Sequence, residues 1–126
     1  MSNIKEFQNF LDTSVSAYHA TANLVNMLSA AGYTRLYEHE SWNLERGKNY
    51  YMVRGGTTLI AFRIPQVNPT GFMMSACHTD RPTFKLKENP ELRGVYTRLA
   101  TEGYGGMIIS TWLDRPLSIA GRVMVD

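Results

Sequence analysis

The chain has 126 residues, of which 44% are hydrophobic and 19% charged, with a formal net charge of +2. That length suits one ordinary domain with a modest core, and so small a charge gives no argument for nucleic acid or an anionic membrane surface as partner. The single cysteine excludes an internal disulfide framework and suits a reducing cytosol, so a cytoplasmic location is expected.

Ile4, Phe7, Phe10 and Leu11 recur at helical spacing and predict a short amphipathic helix over the first dozen residues. The N-terminus has no long apolar core of the signal-peptide kind, and no apolar run approaches the ~20 residues that span a bilayer. N-cap candidates cluster between Asp12 and Ser16. A second helix follows from about Ala17 to Ala31, with Ala20, Leu24, Met27, Leu28 and Ala31 on one face and Gly32 ending it at C′.

From Asn49 the pattern turns strand-like. Tyr50 to Arg54 and Thr57 to Ile64 read as a hairpin closed by Gly55-Gly56. Phe72 to Cys77 is a short apolar run bounded by Pro69 and Gly71, which reads as a buried strand, with Cys77 as a small core residue. Phe84 to Lys87 and Val95 to Thr101 are further strand candidates, separated by the turn-rich Glu88 to Glu91. Met107 to Trp112 and Leu117 to Val125 read as two strands joined at Asp114-Arg115-Pro116. Tyr104-Gly105-Gly106 lacks the spacing of a phosphate loop and suits a tight reversal.

Chemistry gathers where the buried run is expected to stop. His78 is followed two positions later by Asp80, at a strand end where α/β sheets place their ligand sites. An imidazole there can bind a metal, with the carboxylate orienting it. The competing reading, a strand-capping histidine before a turn at Pro82, is the commoner one for so short a motif taken alone. His19 and the Glu38-His39-Glu40 stretch have no partner ligands at metal spacing. Cys77 and His78, adjacent on a strand, would point to opposite faces and not form a nucleophile pair. Lys85 and Lys87 read as a solvated face.

His78-Thr79-Asp80-Arg81-Pro82, continuing to Lys87, resembles the first metal-site segment of the aspartyl aminopeptidases, zinc metallopeptidases that remove N-terminal acidic residues from peptides. Phe10 to Ser14 with Tyr18-His19-Ala20, the stretch Tyr50 to Arg63, Tyr104 to Gly106 and the long motif Trp112 to Arg122 are similar to the same family in the same order. The resemblance implies an α/β fold: N-terminal helices, then a mostly β portion of a zinc-aminopeptidase sheet domain, incomplete at its C-terminal end. It implies residues 1–105 as part of the catalytic domain and 106–126 as the start of a dimerisation domain.

It further implies a site with two zinc ions, His78 as a metal ligand and Asp80 as the catalytic-site carboxylate that orients it. In the family the bridging carboxylate, the general-base glutamate and the other ligands lie beyond the end of this chain. Arg81, Cys77 and Gly103 depart from the residues usual in the family. The resulting expectation is the N-terminal portion of an aminopeptidase for peptides with an acidic first residue, inactive alone and homo-oligomeric, without nucleic acid or membrane as partner. The alternative is a non-catalytic truncated product that acts as an oligomerising scaffold or association partner.

Overall fold

The computed structural model describes residues 2–125, and Asp126, the last residue of the expected 106–126 dimerisation segment, lies outside them. Helix α1 spans Ser2–Thr13 and α2 spans Ala17–Ala30. Ser16 caps α2 from an extended backbone, its hydroxyl accepting the His19 N–H at 3.5 Å. At the other end the Tyr33 N–H donates to the Leu28 carbonyl and the Gly32 N–H to that of Ser29, both at 3.0 Å. This double closure requires a left-handed residue at C′, and Gly32 has φ of 79°. The Asn23 amide donates to the Thr13 and Ser14 hydroxyls, joining the two helices.

Three strands follow: β1 (Thr34–Arg35), β2 (Asn49–Arg54) and β3 (Thr58–Arg63), in the order β1-β2-β3. Strand β1 runs parallel to β2, while β2 and β3 form an antiparallel hairpin in which Arg54 faces Thr58. Gly55 and Gly56 both hold positive φ, 60° and 78°, the conformation their sequence predicts. The hairpin loop is one residue longer than that prediction, taking in Thr57, whose N–H donates to the Arg54 carbonyl at 3.3 Å.

One face of the sheet carries Tyr51, whose hydroxyl lies 3.1 Å from that of Ser29 on α2. Tyr50, on the opposite face, packs its ring 5.8 Å from Phe62, which Trp42 covers at 6.4 Å. Tyr50 and Tyr51 are each only 4% exposed, and with Ala20 and Thr21 of α2 they are the buried residues among those described. Ile4, Phe7 and Leu11 of α1 remain half-exposed or more.

The chain divides into two compact units, residues up to Asp80 together with the segment from Ala120, and Arg81–Ile119. In the first, Arg122 stacks on the Tyr18 ring at 4.8 Å. In the second, β4 (Thr83–Leu92) pairs antiparallel with β5 (Arg98–Tyr104). The expected turn at Glu88 to Glu91 instead lies inside β4, as a register shift between Leu86 and Glu91, with Asn89 at φ 50°. A bulge of this kind absorbs Pro90, which has no N–H to give the ladder. Gly105, at φ 74°, lets the chain pass close to Pro82, where a Cβ would stand 3.4 Å from the proline Cα.

Three expected strands are absent. Residues 72–77 have no regular structure, and Phe72, Met73 and Met74 are fully open to solvent. A buried strand needs neighbours along its edges and cover on its faces, and no strand of the described residues pairs with this run. Met107 to Trp112 contains a 3₁₀ turn, Ile109–Thr111, which seats Trp112 edge-on against Phe84 at 5.5 Å. Residues 117–125 are irregular and exposed. Asp114, at φ 54°, does make the turn expected there, but no hairpin flanks it.

Candidate functional site

His78 and Asp80 lie in the irregular segment between β3 and β4. The start of that segment is held by Arg46, whose guanidinium donates to the Gln66 carbonyl at 3.0 Å and to the Asn68 side-chain oxygen at 2.6 Å. Near its end the half-buried Thr79 donates its hydroxyl to the Thr57 carbonyl at 2.8 Å. That carbonyl belongs to the tip of the β2–β3 hairpin, so a turn without secondary structure is tied to one that has it.

On either side of Thr79, the His78 Nδ1 and Asp80 Oδ1 atoms stand 3.0 Å apart. The imidazole is 90% exposed and the carboxylate 38%. With its proton on Nδ1 the ring donates to the carboxylate and leaves the Nε2 lone pair open. This is how metal-binding histidines are commonly oriented. The sequence pointed to these two residues, and they do meet.

Cys77, expected in the core, is exposed. The reason is the one that leaves the run before it uncovered: no neighbouring strand is present among the described residues to bury it. His39 is exposed beside Glu40, 3.8 Å away. Glu38 is engaged by Arg54, with a 2.6 Å ion pair and a 2.8 Å hydrogen bond. The hydrogen bond and then the carboxylate charge raise the Arg54 pKa above its ordinary value. Glu38, Trp42, Met52, Arg54, Thr58 and Ile60 line a shallow cavity of about 430 Å³. It contains neither a histidine nor a cysteine.

The chemistry of the donor set can be tested against zinc. A catalytic zinc takes about three protein ligands and one open position. His78 with Asp80 behind it suits one such ligand. Among the described residues no group of three or more His, Cys, Asp and Glu side chains stands together as a metal site. The pair therefore fits a part of a zinc site and does not make one alone. Sequence spacing also gave no sign of the Thr79–Thr57 bond, because 22 residues separate its partners.

The sequence model of the aminopeptidase I zinc metalloproteases (M18) matches residues 10–126. A probable M18 family aminopeptidase 2 of Clostridium novyi is 43% identical over 122 residues, which cover 94% of this chain and 28% of that protein. Ape4, in a cryo-EM structure of its complex with Nbr1, superposes with a TM-score of 0.81 at 35% identity over 87% of this chain and 22% of its own. The S. cerevisiae mApe1 dodecamer gives 0.73 at 26% identity, over 88% of this chain and 27% of its own. The chain thus spans about 28% of the length of the curated relative. No helix among the described residues is long and apolar enough to cross a membrane. On the match over residues 10–126 and the shared α/β fold, the chain belongs to the M18 family of aminopeptidase I zinc metalloproteases.

Proposed function

We propose that this chain supplies the first metal-ligand segment of a zinc aminopeptidase that removes N-terminal aspartate or glutamate from peptides. The observation that carries this reading is the contact between His78 Nδ1 and Asp80 Oδ1, which leaves Nε2 free in a chain of the M18 family. His78 is the zinc ligand and Asp80 its orienting carboxylate. Bound zinc would polarise the scissile carbonyl and make water a nucleophile at neutral pH. What these residues contribute is one nitrogen donor, aimed and held in one tautomer.

With only that donor, the 126-residue chain does not bind catalytic zinc or turn over peptide by itself. Residues 1–105 belong to the catalytic domain in this reading, and 106–126 open the dimerisation domain. The working protein in this reading is cytoplasmic and homo-oligomeric, and the dodecameric state of the similar mApe1 supports its oligomeric part.

The test is hydrolysis of aspartyl, glutamyl and leucyl peptides with zinc present. The assay uses this chain and, beside it, a protein of full family length that carries it. We expect no turnover by the chain, preference for the acidic peptides in the longer protein, and loss of both zinc and activity there on His78→Ala. Zinc content and turnover unchanged by His78→Ala would overturn the assignment.

A further inference from the structure

We propose that Thr79 is a positioning residue for His78, acting through its hydrogen bond to the tip of the β2–β3 hairpin. The hydroxyl reaches the Thr57 carbonyl at 2.8 Å across 22 residues of chain, from the position between His78 and Asp80. The imidazole extends into solvent while the residue between it and Asp80 is anchored inward. Fixing the backbone at Thr79 fixes the turn on which both neighbours stand. With the backbone held, the imidazole and carboxylate start from a fixed separation, and less conformational freedom is lost when they meet.

The anchor point is itself held. A Cβ at Gly56 would lie 3.3 Å from the Tyr18 ring, so the hairpin tip rests directly against α2. The φ of Gly56 is 78°, which places the Thr57 peptide in a turn that an L side chain at position 56 would strain. Helix α2, the hairpin tip and Thr79 thus form a continuous support beneath a segment with no regular structure. A merely local Thr hydrogen bond, such as that of Thr111 to the Ile108 carbonyl, links residues of the same turn. The Thr79 bond instead links the candidate site to the sheet.

The functional meaning of this support rests on the reading of His78 as a zinc ligand; the physical claim concerns the imidazole and is tested without metal. The His78 ring nitrogens are followed by ¹⁵N NMR in the 126-residue chain at about pH 8, where an ordinary imidazole is neutral. Thr79→Val keeps the shape and removes the hydroxyl, and Thr79→Ser keeps the hydroxyl. We expect the valine variant to bring the Nδ1 and Nε2 shifts together, as the Nδ1–H tautomer loses its hold. The serine variant should keep them as far apart as in the parent, and in both the β2 and β3 amide signals should stay in place.

Unchanged ring shifts in Thr79→Val would overturn the proposal. So would displacement of the β2–β3 amides along with the ring, which would make Thr79 a part of the hairpin's own structure. Because no zinc is present, either result leaves the ligand role of His78 to be decided by the zinc content of its alanine variant.

Discussion

The hydroxyls of Ser29 and Tyr51 lie 3.1 Å apart and join α2 to the middle strand of its sheet. Tyr51 is 4% exposed, so its ring carries much of what little apolar burial this unit has. Tyr51→Phe removes only the hydroxyl and should lower stability by about 1 kcal/mol. Tyr51→Ala also removes the ring and should cost about 3–5 kcal/mol, most of the stability of a small domain. Urea denaturation followed by far-UV circular dichroism checks the order.

The two hairpin glycines should differ. Both hold positive φ, but a Cβ at Gly55 meets open space, whereas one at Gly56 meets Tyr18 at 3.3 Å. Gly55→Ala should therefore cost about 1 kcal/mol for the left-handed backbone alone. Gly56→Ala should cost more, and a Tyr18→Ala background should bring the two values together. Thermal unfolding of the four variants measures this directly.

Cys77 offers a test of the uncovered segment. As an exposed thiol it should react with a maleimide in the native chain about as fast as in urea. Slow labelling in buffer that becomes fast in urea would mean that the residue is covered after all.

The Arg54–Glu38 pair is a surface interaction with good geometry, 2.6 Å between charged atoms. Because such pairs are screened by salt, Arg54→Met should lower the melting temperature slightly at low ionic strength. The difference should vanish near 1 M salt. Persistence at high salt would point to lost packing of the arginine stem against the cavity lined by Trp42 and Ile60.

Where local chemistry decides the structure, the sequence was readable. Ser16 and Gly32 bound α2 because a hydroxyl at N-cap and a left-handed C′ residue act within one turn. Gly55-Gly56 turned the hairpin for the same reason. His78 and Asp80 were legible because two residues on one turn can touch whatever surrounds them. Phe72 to Cys77 was not, since an apolar run becomes a strand only through partners that lie elsewhere in sequence. Strand β4 outran its expected length because a bulge accommodated Asn89 and Pro90, a solution that turn propensity does not foresee. Thr79 escaped notice because its partner belongs to another element.

The stacking of Arg122 on Tyr18 joins residues roughly a hundred positions apart, a separation that makes it one of the slowest kinds of contact to form. The helices and the β2–β3 hairpin can assemble from near neighbours before it closes. Its energy, about 0.5–1 kcal/mol for an exposed pair of this kind, then enters after the rate-limiting barrier. Arg122→Ala should leave the refolding rate as it is and hasten unfolding several-fold at most. Arg122 is thus expected to act as a latch, slowing the opening of the first unit a few-fold without hastening its closure.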